Sequence, residues 1–203
     1  MLMSPSTACY EETWVIVDDG VYEPAEDTFM LCANLDIAPG ETMLEIGTGC
    51  GLVAIVAAKA GAQVIATDQS EIAVQNAKKN VSLQNCESRI EIRQGDLFEP
   101  IHTHEQFSLL VFNPPYLPGT KDDPAFDPAW SGGHKGYEVT EKFLAQCTSF
   151  LHADGRLLLV QSTLSTPEHI AKRLKRLFHR VTVKDGKSFF FECLLLFEAH
   201  TPR

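Results

Sequence analysis

The chain reads as an α/β protein, an open and mostly parallel sheet with helices on both faces. Three observations predict this. Segments of strand and helix character alternate along the 203 residues. The run Phe107–Phe112 is apolar at every position but Ser108, as expected of a central strand covered on both faces. A glycine turn, Glu45-Ile46-Gly47-Thr48-Gly49-Cys50-Gly51, follows a buried strand and opens a helix, which is where sheets of this class take ligands.

The elements follow in order. Trp14 to Tyr22 reads as a hairpin turning at Asp18-Asp19-Gly20, so that residues 1–23 form an arm ahead of one domain over 24–203. Pro24 opens a helix to about Leu35, and Glu26 and Asp27 suit the positive end of its dipole. Met43 to Ile46 is a buried strand, and Gly51 to Ala60 is the helix after the glycine turn. Val64 to Thr67 is the next strand, after which Ser70 caps a helix to about Leu83. Arg89 to Arg93 alternates as a short strand. Beyond Phe107–Phe112, Glu138 to Leu151 is helical, with Val139, Phe143, Cys147, Phe150 and Leu151 on one side. Arg156 to Gln161 is a further buried strand. Thr166 caps a helix from Pro167 that carries Ile170, Leu174, Leu177 and Phe178 on one face. Val181 to Lys184 and Phe189 to Glu198 close the chain as a strand pair around Asp185-Gly186-Lys187. Two last strands without a helix between them require one antiparallel strand in the sheet.

Bulk properties exclude several classes. No apolar stretch approaches the roughly 18 residues of a membrane span. The polar segment Met1–Glu12 does not read as a signal peptide. Cysteines stand at 9, 32, 50, 86, 147 and 193 without a C-x-x-C pair, the pattern of buried thiols in a reducing cytosol. His102 and His104 have no cysteine nearby to complete a zinc set, so no metal is expected. The net charge of −10 argues against unaided nucleic-acid binding, which rests on Lys and Arg neutralising phosphates.

The glycine turn is built for close approach of backbone to a ligand, since a Cβ there would fill the space. Glu45 stands two residues ahead of the first glycine, where a carboxylate can hold a ligand ammonium. Asp68, with Gln69 beside it, ends the second strand, where a carboxylate can accept two ribose hydroxyls. Gly95-Asp96-Leu97 ends the third strand, so that Asp96 can receive an adenine amino group and Leu97 can donate its N–H. Each residue alone is an ordinary turn or cap residue. Their register at successive strand ends selects a cofactor site made of Glu45, Gly47, Thr48, Gly49, Gly51, Asp68, Gln69, Asp96 and Leu97. No G-x-x-x-x-G-K-[ST] is present, which excludes a P-loop.

Phe112-Asn113-Pro114-Pro115-Tyr116 follows the fourth strand of this series. Two prolines fix φ and remove two N–H donors, so the backbone there presents only carbonyls. A planar –NH2 group can give one hydrogen to the Asn113 side-chain oxygen and one to the Pro114 carbonyl. Tyr116 can lie over the group and exclude water. Such a clamp works by orientation and electrostatics, without a dedicated base.

These motifs resemble the HemK-like protein-glutamine N5-methyltransferases, in the short eukaryotic and archaeal branch that modifies class 1 release factors. The resemblance runs from about Val21 onward. Val21-Tyr22-Glu23-Pro24-Ala25-Glu26-Asp27-Thr28 is similar to the branch's pre-motif, in which Thr28 would close over the cofactor. Glu45, Gly47, Asp68, Asp96, Leu97 and Asn113 fall on the family's cofactor contacts, and Asn113, Pro114, Pro115 and Tyr116 on its glutamine clamp. Ala129-Trp130-Ser131-Gly132-Gly133 with Gly136 is similar to a loop bordering the substrate, which adds Trp130 to the substrate contacts. Tyr137 departs from the family, standing where relatives often have Arg. The resemblance implies a Rossmann-like class I fold with a seven-stranded, mostly parallel sheet, S-adenosylmethionine as cofactor, and a cytoplasmic enzyme. It also implies a small zinc-bearing activator subunit at the edge strand Arg89–Arg93. The competing acceptors are the amino groups of adenine or cytosine in nucleic acid, and a protein lysine.

Overall fold

The computed structural model describes residues 5–119 and 132–203, and the chain divides into two compact units at Thr103/His104. The first unit holds a hairpin of β1 (Ser6–Tyr10) and β2 (Thr13–Val17), then α1 (Glu26–Ala33), β3 (Thr42–Ile46), α2 (Leu52–Lys59), β4 (Gln63–Asp68), α3 (Glu71–Leu83) and β5 (Ile90–Gln94). β3, β4 and β5 run parallel in the order β5-β4-β3, with Met43 level with Val64 and Val64 level with Ile90. Met43, Leu44, Val64, Ala66 and Ile90 are buried. α2 buries Leu52, Val53, Ala54, Ile55, Ala57 and Ala58, and so it is apolar almost all round. Ser70 caps α3 as expected, its hydroxyl accepting from Ala73 N at 3.4 Å.

The hairpin is one strand earlier than the sequence pattern suggests. Its partners are Ser6–Tyr10 and Thr13–Val17, and its turn is at Glu11-Glu12, where Glu11 has φ +49°. Asp18-Asp19-Gly20 turns the chain away instead: Val21 N closes on Asp18 O at 3.1 Å, and α1 follows. The physical reason lies in α3, whose asparagines grip the edge of β2. Asn80 Oδ1 accepts from Ile16 N at 2.9 Å, and Asn80 Nδ2 donates to Ile16 O at 2.7 Å and to Cys50 O at 2.9 Å. Asn76 Nδ2 also donates to Ile16 O, and Asp18 N donates to Asn76 Oδ1. One buried amide thus ties the hairpin to the glycine turn.

The second unit holds β6 (Phe107–Phe112), α4 (Glu138–Leu144), β7 (Leu151–Ser162), α5 (Pro167–Leu177), β8 (Phe178–Ser188) and β9 (Cys193–Pro202), with strand order β6-β7-β9-β8. β7 is parallel to β6, and β9 is antiparallel to both of its neighbours. β9 is therefore the one reversed strand, as two terminal strands without a helix between them require. The fourth helix is shorter than its apolar periodicity predicts. It stops at Leu144, a 3-10 turn takes Cys147–Phe150, and Leu151 already belongs to β7. Asp185-Gly186-Lys187 is not a turn but lies inside β8, after a bulge between Val183 and Asp185. The hairpin tip is displaced to residues 189–192, where Phe189 N donates to Glu192 O at 2.7 Å. Thr166 precedes α5 in a left-handed conformation with φ +56°, and its side chain makes no cap bond.

Asn80 is completely buried, so truncating it removes the partners of the Ile16 N–H and the Cys50 carbonyl and leaves Ile16 O to Asn76 alone. Asn80→Ala is expected to cost about 3 kcal/mol. It should also raise amide exchange in Thr13–Val17, read by thermal unfolding and hydrogen exchange.

Candidate active site

Unit one carries its polar residues at the carboxyl ends of three parallel strands. Glu45, the penultimate residue of β3, is 4% exposed. Its Oε2 accepts from Thr48 Oγ1 at 2.8 Å. Burial pushes its carboxyl up to about 8, and the negative neighbour Asp68 adds to the rise against hydrogen bonds from Thr48 and the Ala54 amide. Asp68 ends β4 and accepts Gly49 N at 3.0 Å on one oxygen and Ser70 N at 2.9 Å on the other. Burial raises it above the ordinary carboxylate range, while the amides of Ser70, Gly49 and Gln69 pull it down. Two acids therefore share this end of the unit, and no lysine or arginine is paired with either among the described residues.

The glycine turn joins them. Thr48 N donates to Thr67 O at 2.9 Å, which pins the turn to β4. Gly47 and Gly49 have positive φ, and Gly51, also left-handed, heads α2. A Cβ on Gly51 would stand 3.3 Å from the Ala77 backbone of α3, so the turn and the helix meet where a side chain fits badly. Thr28 is buried on α1, bonded to Asp27, whose carboxylate also accepts Tyr22 Oη at 2.7 Å. Gln69 and Asp96 are exposed, and Leu97 is buried with φ +48°. The structure therefore brings Glu45, Thr48, Gly49 and Asp68 into one bonded group. It gives Thr28 a separate partner in Asp27, and Asp96 N a bond of 3.3 Å to Glu99.

Unit two holds the corner that follows β6. Phe112 packs on Phe143 of α4, with ring centroids 4.7 Å apart. Pro114 is then buried, whereas Asn113, Pro115 and Tyr116 are half-buried. A glycine segment backs this corner. Gly132 N donates to Leu117 O at 3.0 Å, and Gly119 N to Gly133 O at 2.9 Å. A Cβ on Gly132 would strike the carbonyls of Pro115 and Gly136, and one on Gly136 would lie 2.5 Å from the Tyr116 carbonyl. Glu138 opens α4 with its carboxylate accepting from the amides of Lys135 and Tyr137, and its own N–H donates to Gly132 O at 2.9 Å. Burial opposes the charged form of Glu138, but these amides together with His134 hold it below the ordinary range.

Two parts of the site escaped the sequence. Gly132 and Gly136 border the corner's backbone rather than an open loop, and only the spacing of glycines at 132, 133 and 136 hinted at it. Tyr137 stacks on His169 of α5 at 4.6 Å, and His169 Nε2 lies 2.6 Å from Glu141 Oε1, so this position braces α4 against α5. Trp130 and the acids Asp122, Asp123 and Asp127 lie outside the described residues.

Glu45 yields a pH signature. Its folded value is about 8 against an ordinary 4.5, so between these values the folded chain holds the extra proton. The resulting stability is fully present below pH 4.5 and is lost as pH rises through 8. Glu45→Gln should shrink the difference in unfolding free energy between about pH 5 and about pH 8.5, measured by denaturant titration. An undiminished difference would mean that Glu45 is ionised in the fold.

Comparisons with known proteins identify the family and the fold. The family described as methyltransferase small domain matches residues 13–191. A Methanocaldococcus jannaschii protein, provisionally named a protein N5-glutamine methyltransferase, is 35% identical over 183 residues, covering 88% of this chain and 91% of that one. Human methyltransferase HEMK2 is 33% identical over 168 residues, covering 76% of this chain and 78% of its own length. Among solved structures, the E. cuniculi Mtq2–Trm112 complex, described as responsible for methylating the termination factor eRF1, matches with a TM-score of 0.71 at 23% identity. That match covers 90% of this chain and 99% of the other, and it is a likeness of fold. The fold is α/β with a seven-stranded, mostly parallel sheet and one antiparallel strand, of the class I methyltransferase type. The chain belongs to the methyltransferase small domain family and, within it, to the short archaeal and eukaryotic branch of the HemK-like, S-adenosylmethionine-dependent protein-glutamine N5-methyltransferases.

Proposed function

We propose that the chain methylates the side-chain amide of a glutamine in the Gly-Gly-Gln loop of a class 1 release factor, using S-adenosylmethionine. The observation that carries this reading is the corner after β6: a buried Pro114 flanked by half-buried Asn113 and Tyr116, braced from behind by glycines. An amide nitrogen is a poor nucleophile because its lone pair is delocalised. The Asn113 oxygen and the Pro114 carbonyl accept its two hydrogens, which favours pyramidal character and developing positive charge there. Tyr116 covers the planar group and keeps water off. Pro115, with no N–H, leaves no competing donor at the corner.

Unit one fits the cofactor by the chemistry of its donors. S-adenosylmethionine, when bound, supplies an electrophilic methyl on a sulfonium, and it carries an ammonium. Glu45 is a buried acid and Asp68 a half-buried one, both desolvated and without a basic partner among the described residues, the setting that a cationic ligand stabilises. Glu45 would hold the ammonium and Asp68 the ribose hydroxyls, with the Asp68 carboxylate already oriented by the amides of Gly49 and Ser70. Gly47, Thr48, Gly49 and Gly51 shape the turn, Thr28 closes over it, and Gln69, Asp96 and Leu97 complete the contacts of this unit. On this reading the methyltransferase domain is 24–203, with 1–23 as its arm, and the enzyme works in the cytoplasm. No helix among the described residues is long and apolar enough to cross a membrane. We assign a small activator subunit to the edge of β5, the outer strand of the β5-β4-β3 order.

Labelled cofactor offered side by side to a release factor, tRNA and DNA should label the release factor, and its Gly-Gly-Gln glutamine in particular. Label in tRNA or DNA alone would replace this reading with nucleic-acid methylation. Asn113→Ala should lower turnover by roughly a hundredfold or more while cofactor affinity stays within about twofold. Asp68→Ala should weaken cofactor binding about tenfold or more, read by calorimetry. Cofactor affinity should rise with pH and level off above about 8, because binding a cation beside Glu45 expels its proton, and Glu45→Gln should abolish that slope.

A further inference from the structure

The most exposed large apolar side chains of the described residues sit together at one hairpin tip. Phe190 is 91% exposed and Phe191 83%, with Phe189 at 43%. The tip is ordered. Phe190 and Phe191 meet edge to face, centroids 4.6 Å apart at 88°. Cys193 N donates to Thr163 Oγ1 at 2.8 Å, which binds the base of the hairpin to the 3-10 turn Thr163–Ser165. That turn carries a further exposed residue, Leu164. Turns of this kind ordinarily take Gly, Asn or Asp, so three phenylalanines have no local conformational reason to be there.

Register places the tip at the same end of the second unit's strands as the clamp. Phe112 of β6 is level with Leu159 of β7, Ser162 of β7 with Leu194 of β9, and Cys193 with Ser188 of β8. The hairpin therefore projects beyond the same end of the strands at which Asn113 leaves β6. The intervening 3-10 turn ends at Ser165, whose Cβ lies 3.0 Å from where a Cβ on Gly136 would stand, and Gly136 backs Tyr116.

We propose that Phe190 and Phe191, with Leu164, form a docking arm for an apolar surface of the protein substrate next to its reactive glutamine loop. The proposal rests on the protein-glutamine reading above. A clamp on one amide distinguishes chemistry but contributes little grip, and rigid aromatic anchors supply grip at low entropic cost. A second copy fits poorly, because one tip buries far less than the roughly 1,200 Å² of a stable interface. A lipid surface fits poorly too, because the charged residues near the tip are Lys184, which pairs with Glu198, and Asp185, Lys187 and Glu192, without the basic cluster that holds anionic headgroups.

The test is the double variant Phe190→Ser with Phe191→Ser, assayed on a full-length class 1 release factor and on a short Gly-Gly-Gln peptide. Both rings are exposed, so circular dichroism and cofactor affinity should match the parent chain. The KM for the whole factor should rise about tenfold or more with kcat within about twofold, while kcat/KM for the peptide stays unchanged. An unchanged KM for the whole factor, with the parent chain active on it, overturns the docking arm and leaves the glutamine reading standing. A parent chain inactive on both factor and peptide overturns the two together. A dimer in sedimentation that the variant dissolves, or binding to anionic vesicles that it abolishes, reassigns the tip and overturns the proposal.

Discussion

Backbone meets backbone in this protein at places where a Cβ would not fit, and the site's parts are positioned by those crossings. In the first unit Gly51 lets the head of α2 lie against Ala77 of α3. In the second, Gly132 and Gly136 lie against the carbonyls of Pro115 and Tyr116. Hydrogen bonds then secure each crossing, from Asn80 to Cys50 O in one case and from Gly132 N to Leu117 O in the other. A corner made stiff by two prolines but unsupported would keep its φ angles and still swing as a body. The glycine segment and the Glu138 carboxylate hold it to the start of α4.

Electrostatics gives the first unit its second theme. Glu45 is buried and Asp68 half-buried, Asp68 adds to the rise of Glu45, and the two are held by amides and a hydroxyl rather than by a base. A fold that served stability alone would gain from an apolar residue at either place, since a buried carboxyl without a counter-charge is costly. Keeping two acids at adjacent strand ends is sensible when a cationic ligand completes the set. Family membership supplies such a ligand, a sulfonium bearing an ammonium.

Much of the chain was legible in advance. Phe107–Phe112 and the helix capped by Ser70 stand where their patterns put them, because a nearly unbroken apolar run and an N-cap are local signals. The hairpin was misread because Trp14–Val17 alternates equally well with either flank. Its choice of Ser6–Tyr10 goes with the docking of β2 on Asn76 and Asn80, some sixty residues away. The closing turn was misread for a related reason. Asp185-Gly186-Lys187 has turn chemistry, yet a bulge absorbs it into β8, and the phenylalanines that look like strand residues form the tip.

The sequence by itself determined the class of the fold, the glycine turn with its acids, and the Asn-Pro-Pro-Tyr corner, because each is written in neighbouring residues whose backbone or charge preferences act over a few bonds. Only the tertiary structure decided which groups are desolvated, which glycines touch the corner, that Tyr137 stacks on His169, and that three phenylalanines face solvent. Those outcomes depend on desolvation and on contacts between segments far apart in the chain, and neither quantity exists until the segments have packed.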